Sequence, residues 1–117
     1  MDLPKHVRNI VHKGKPFVQF ANNVAISKTT YDKALLLQIK GGPKVLVIHA
    51  KDPKDAQFSR WLGEFVAMTG ADIVLGDFNF EKLVTGIKNA CVDTDIDDKK
   101  VNDIGEDISI VLHKKGT

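Results

Sequence analysis

The sequence has few of the features of a secreted, disulfide-bonded or membrane-spanning protein. It contains one cysteine, Cys91, so no internal disulfide can form, and a lone thiol fits a reducing compartment. Its unbroken apolar runs are short, for example VLVI at 45–48 and IVL at 73–75. Runs of this length cannot form a transmembrane helix or the apolar part of a signal peptide. We therefore expect a cytoplasmic protein that does not enter a membrane.

The composition is that of an ordinary globular protein. Of the 117 residues, 43% are hydrophobic and 27% are charged, which predicts one domain over 1–117 with a single modest core. The net charge of +2 conceals an asymmetry, because residues 1–60 carry eleven Lys and Arg against four Asp and Glu, and residues 61–117 carry six against eleven. A basic half beside an acidic half suits a polyanion bound near a cation, but two solvated faces would give the same count.

Before residue 44 the pattern predicts one short helix followed by extended chain. PKHVRNIVHK at 4–13 allows a helix with a proline in its first turn and Gly14 just beyond its end. The extended segments are FVQFA at 17–21, NVAIS at 23–27 and YDKALLLQI at 31–39, and Gly41-Gly42-Pro43 then signals a turn.

From residue 44 onward the pattern predicts a strand–helix–strand unit with parallel strands. KVLVIHA at 44–50 and ADIVLGD at 71–77 are continuously apolar, which is typical of strands buried on both faces. Between them, a helix is expected with Asp52 as its N-terminal cap and Pro53 in its first turn, and Gly70 is expected to end it. The remaining elements are a helix at 80–90, an acid-rich loop at 93–107 and a strand at 107–113. The fold class is therefore α/β, with a single small mixed sheet and two main helices.

Polar side chains follow both apolar strands. His49 comes after VLVI, and Asp77 and Asn79 come after DIVL. Carboxyl ends of neighbouring parallel strands are where open α/β sheets form binding sites, and Asp107 would join them if the last strand is antiparallel. Such a set can bind a hard cation, orient a water and protonate a leaving oxygen. The alternative is structural: His49 would then bond to a turn, and Asn79 would cap the following helix.

The segment from VLVIHAKDPKDA to ADIVLGDFNF resembles the central part of the endonuclease/exonuclease/phosphatase superfamily, especially its deoxyribonuclease I-like branch. In that branch a strand ending in His-Ala leads through a helix to a strand ending in Gly-Asp-Phe-Asn, which here are His49-Ala50 and Gly76 to Asn79. The resemblance covers about 22–112 and is specific across 44–80. It implies part of the α/β sandwich of these enzymes, with magnesium or manganese and with nucleic acid or another phosphate ester as substrate.

The resemblance also implies roles for single residues. His49 corresponds to the histidine that acts as a general acid or holds the phosphate, Asp77 to the aspartate that activates water, and Asn79 to the asparagine that contacts phosphate. Asp107 corresponds to the aspartate near the second histidine of some members and is predicted to be catalytic, and Asp77 and Asp107 are the predicted metal ligands. Lys51 and Lys54, next to the strand ends, are predicted to bind phosphate.

Two functional groups of the family are missing from the pattern. No glutamate occurs between residues 1 and 43, where the family has its metal-binding glutamate, and no Ser-Asp-His motif follows Asp107. The first hypothesis is therefore an abbreviated cation-dependent phosphoesterase, best described as a small nuclease. The second is a catalytically degenerate member of the fold that binds or self-assembles. A sheet this small can require a partner over one face, and a homodimer would supply it.

Overall fold

The computed structural model describes residues 3–50, 56–90, 93–100 and 107–114, which form three helices and two sheets. The α/β class is confirmed. The strands are β1 (Arg8–His12), β2 (Lys15–Gln19), β3 (Ala25–Ser27), β4 (Leu35–Gln38), β5 (Lys44–Ala50), β6 (Ile73–Phe78), β7 (Thr94–Lys100) and β8 (Ile108–Lys114), and the helices are α1 (Lys28–Lys33), α2 (Ala56–Thr69) and α3 (Phe80–Ala90).

The first three strands form a small antiparallel sheet of their own, in the order β1-β2-β3. The predicted helix over 4–13 is therefore wrong. Lys13 and Gly14 have φ values of 51° and 78°, and two successive positive φ angles form the tight turn of a β-hairpin. Gly14 thus belongs to a hairpin turn and does not end a helix. The single sheet that we predicted corresponds to the larger sheet alone.

The larger sheet has five strands in the order β4-β5-β6-β8-β7. β5 and β6 are parallel, as the strand–helix–strand pattern predicts, and every other pair is antiparallel. The acid-rich segment at 93–107 was predicted as loop, but its first part forms β7, which pairs with β8 at the edge of the sheet. Edge strands commonly carry charged side chains, and β7 has too few apolar residues to be predicted as a strand from the sequence.

Short-range interactions explain α1, whose last three residues fall in the segment predicted as extended at 31–39. The Ser27 hydroxyl oxygen accepts a hydrogen bond from the Thr30 backbone N–H at 3.4 Å and caps the helix. Lys28 and Asp32, four residues apart, form an exposed ion pair at 2.7 Å. The chain becomes extended again at Ala34, and β4 follows.

One face of the larger sheet carries the core. Alternate side chains of the central strands, Leu46, Ile48, Val74 and Ile110, have no exposed surface and pack with Phe65, Val66, Leu83 and Ile87 of α2 and α3. The two helices approach each other closely at Gly63 and Gly86. Because neither glycine has a side chain, the backbones of α2 and α3 are in direct contact at this point.

The other face of the larger sheet, which we call the open face, is apolar and partly exposed. It consists of Leu35, Leu37, Val45, Val47, Ile73, Leu75 and Val111, all half-buried or exposed. Leu35 and Leu37 are 57% and 49% exposed. The prediction that 44–50 and 71–77 are buried on both faces is therefore wrong for this face, because no element within the described ranges covers it.

Among the described residues, no helix has the length and apolar character needed to cross a bilayer. The predicted helix start at Asp52 and Pro53 lies outside the described residues.

Candidate functional site

His49 and Asp77 are direct neighbours across the parallel pair β5–β6. The register pairs Ile48 with Gly76, His49 with Asp77 and Ala50 with Phe78. Adjacent strands lie about 4.8 Å apart, and register partners project from the same face. The imidazole and the carboxylate are therefore side by side at the carboxyl edge of the sheet, where sites of α/β folds are expected.

Asp107 is brought to the same edge by β8. The antiparallel pairing of β6 and β8 ends at Gly76 and Ile108, so the next residue on each strand is Asp77 and Asp107 respectively. Continuing the register places these two carboxylates on the same face of the sheet. This placement depends on an antiparallel last strand, and β8 is antiparallel to β6.

The strand ends open into a cleft of about 570 Å³. Its walls come from the carboxyl ends of β5 and β6, from β2 and β3, from α1 and from the start of α2. The lining residues are Lys15, Phe17, Ala25, Ile26, Ser27, Thr29, Thr30, Lys33, His49, Ala50, Phe58, Leu62 and Asp77. Two of the predicted site residues thus share one cavity, and its size is in the range of about 300–1,000 Å³ found for small-molecule sites.

The polar groups of the cleft differ in whether they have hydrogen-bond partners. The buried Thr30 hydroxyl donates a hydrogen bond to the His49 backbone carbonyl at 3.2 Å, which ties α1 to the end of β5. The His49 side chain is exposed and has no hydrogen-bond partner among the described residues, and the same holds for the Lys33 ammonium group. Two groups that could bind or protonate a phosphate ester are therefore available.

The phenol of Tyr31 holds α1 from its other side. Its hydroxyl donates a hydrogen bond to the Pro4 carbonyl at 2.8 Å. Burial, and secondarily the negative charge of Asp32, raise the pKa of Tyr31 above its ordinary value near 10. Tyr31 therefore stays protonated and serves as a structural donor.

Asn79 occupies the helix-capping position that the sequence allowed as an alternative. Its side-chain oxygen accepts a hydrogen bond from the Lys82 backbone N–H at 3.0 Å, and its carbonyl accepts one from Leu83 at 3.0 Å. Asn79 begins α3 and does not line the cleft. Its amide nitrogen has no hydrogen-bond partner in the part of the chain that the structure describes.

Gly76 sets the path of β6 just before Asp77. Its φ of +142° belongs to glycine, and a Cβ at this position would lie 1.9 Å from the Ile48 carbonyl oxygen. β5 and β6 can approach in this register only because residue 76 has no side chain. Gly76 thereby fixes where the Asp77 carboxylate emerges.

Some residues that line the cleft were predicted from the sequence and others were not. Lys51 and Lys54 lie outside the described residues. Lys15, one of the lysines in the basic half, lines the cleft, as do four polar residues that were not predicted from the sequence: Ser27, Thr29, Thr30 and Lys33. The only available signal was the general excess of positive charge before residue 60, because these residues come from separate elements that only the tertiary fold brings together.

Among the described residues, no three His, Cys, Asp or Glu side chains are grouped closely enough to bind a metal together. The His12 ring is half-buried and packs edge-on against Phe17, Phe58 and Trp61 at centroid distances of 5.4, 5.1 and 5.0 Å. Two members of this aromatic cluster, Phe17 and Phe58, line the cleft.

No protein-family model, no curated protein and no solved structure matches this chain. The resemblance to the endonuclease/exonuclease/phosphatase superfamily therefore remains a prediction.

Proposed function

We propose that this protein is a divalent-cation-dependent phosphoesterase, best described as a small cytoplasmic nuclease that hydrolyses phosphodiester bonds. The observation that supports the proposal most strongly is the pairing of His49 with Asp77 in one register and in one cleft. A carboxylate that accepts a proton from water and an imidazole that gives one to the leaving oxygen form a complete acid–base pair. Two lysines of the same cleft suit the charge of the phosphate.

Each residue has a separate role in the proposal. Asp77 orients and deprotonates the attacking water, and His49 protonates the leaving oxygen. Asn79 contributes its amide nitrogen to a phosphate oxygen. Lys51 and Lys54, which follow β5 in the sequence and lie outside the described residues, would bind phosphate.

Asp77 and Asp107 fit a magnesium or manganese ion. Magnesium commonly takes one or two protein carboxylates and keeps several waters, so it does not need a cluster of three side chains. The register between β6 and β8 supplies two carboxylates on one face. When bound, the ion would neutralise charge on the phosphate and lower the pKa of a bound water.

A cleavage assay tests the proposal directly. Wild-type protein is incubated with plasmid DNA and with RNA, with magnesium, with manganese or with EDTA. We expect cation-dependent cleavage that falls at least about 100-fold in His49→Ala and in Asp77→Asn, because each removes one partner of the acid–base pair.

The matched control is Asp93→Asn, an exposed aspartate at the far end of β7. It should cleave like wild type, and thermal unfolding should show that all variants remain folded. Cleavage that persists in folded Asp77→Asn, or that is absent from wild type under every condition, would overturn the proposal.

A second candidate function is supported by the open face. A degenerate member of the fold could bind or self-assemble through it, with a second copy of the chain as the partner. Leu35, Leu37 and Ile39 are each about half exposed, and contiguous exposed apolar surface marks interaction sites. Wild-type protein that self-associates but does not cleave nucleic acid would support this second function.

A further inference from the structure

We infer that the cleft binds a phosphate ester carrying one apolar or aromatic group of about nucleoside size, and not the interior of a duplex. The inference deepens the proposed function, since it concerns the same site. It rests on the way the cleft divides into a polar end and an apolar wall.

The polar end is formed by α1 and the strand ends. Lys33 and Thr29 are both exposed and lie on one short helix, and His49 follows on the adjoining strand. Lys33 has no ion-pair partner among the described residues, so its positive charge is available to an anion. A lysine ammonium group and hydroxyl groups are common phosphate ligands.

The apolar wall is formed by residues of β3 and α2. Ile26 and Leu62 are almost completely buried yet line the cleft, and Phe58 is half-buried beside them. Phe17 stacks on Phe58 at a centroid distance of 5.3 Å and an interplanar angle of 25°, which holds the ring in place. A rigid apolar surface next to a charged end favours a ligand with an apolar ring and a phosphate.

The geometry argues against a duplex as ligand. In a duplex the bases are stacked and paired, so its backbone would offer phosphates to the polar end and leave the apolar wall unfilled. A cleft of about 570 Å³ has the size of a small-molecule site. A free nucleotide or the unpaired end of a single strand can place one base on the wall.

Binding without turnover tests the inference. Wild-type protein in EDTA is titrated with inorganic phosphate, with adenosine 5′-monophosphate and with a single-stranded trinucleotide bearing a 5′-phosphate, followed by calorimetry. We expect adenosine monophosphate to bind at least about tenfold more tightly than phosphate, because the base fills the apolar wall. The trinucleotide shows whether the natural source is a strand end or a free ester.

Variants separate the two ends of the cleft. Lys33→Ala should weaken binding of phosphate and of adenosine monophosphate about tenfold, because it removes a charge-assisted contact. Phe58→Leu should weaken adenosine monophosphate and leave phosphate unchanged. The control is Lys40→Ala, an exposed lysine in the turn at the opposite end of the sheet, which should bind like wild type.

The results also distinguish this inference from the proposed function. Adenosine monophosphate that binds no better than phosphate, or Lys33→Ala that matches Lys40→Ala, overturns the inference even if the protein cleaves RNA. Lys33-dependent binding of the nucleotide supports it even if no substrate is cleaved.

Discussion

Gly63 of α2 and Gly86 of α3 are in backbone contact. A Cβ placed on Gly63 would lie 2.2 Å from the carbonyl carbon and oxygen of Gly86, and a Cβ on Gly86 would lie 1.9 Å from the Ser59 carbonyl oxygen. Real Cβ atoms do not come this close, so either substitution must separate the helices. Because both helices pack on the sheet that carries His49 and Asp77, their separation would disturb the core beneath the site.

The first prediction concerns this contact. Gly63→Ala should lower the free energy of unfolding by about 1–3 kcal/mol, the cost of overpacking, although Gly→Ala inside a helix normally adds about 0.5–1 kcal/mol. Urea unfolding followed by circular dichroism measures the change. Lys88→Ala, an exposed position on α3, is the control and should change stability little. A more stable Gly63→Ala variant would mean that the helices are farther apart than described.

The second prediction separates two roles of Asn79. Asn79→Ala should cost about 1 kcal/mol of stability through loss of the cap to Lys82, whereas Asn79→Ser keeps a capping oxygen and should restore it. If the Asn79 amide also contacts phosphate, both variants should cleave more slowly. Cleavage rates and thermal melts of the pair decide between the roles. Full activity in Asn79→Ser would leave Asn79 with the cap alone.

The third prediction concerns the two carboxylates at the ends of β6 and β8. Magnesium should raise the melting temperature of wild type, because an ion that binds the folded state alone stabilises it. In EDTA, Asp107→Asn should be at least as stable as wild type, because it removes a like charge beside Asp77. In magnesium, its melting temperature should rise less. Asp93→Asn is the control, and an equal rise in Asp107→Asn and wild type would exclude Asp107 as a ligand.

The fourth prediction concerns the open face. Sedimentation equilibrium should show association of wild type that Leu37→Glu weakens at least about tenfold, because a carboxylate would have to be desolvated in the interface. Val11→Glu is the matched control: Val11 is 75% exposed, but it lies on the small sheet. Wild type that stays monomeric at high concentration would contradict a homodimer through this face.

The sequence predicts the second half of the fold better than the first. β5, β6 and α3 are found where the pattern placed them, because continuous apolar runs and helical spacing are local signals. The hairpin of β1 and β2 was missed since a glycine after a lysine reads equally well as a helix end. β7 was missed because an edge strand with one solvated face needs few apolar residues.

Some residues of the candidate site could be predicted from the sequence and others could not. His49 and Asp77 could be placed together from the sequence, because parallel strands bring their carboxyl ends to one edge. Lys33 could not, since it lies on α1, in a segment that reads as extended, and reaches the cleft only through the packing of α1 near β5. Groups contributed by one supersecondary unit are predictable, and groups contributed by packing between units are not.

The backbone at Gly76 has a consequence for the variation that this protein can tolerate. Any larger residue there would push against the Ile48 carbonyl and force the two central strands apart, whether or not a substrate is ever bound. Glycine at residue 76 is therefore demanded by folding. Among natural variants of this chain, Gly76 would persist in active and inactive forms alike, so its presence would say nothing about catalysis.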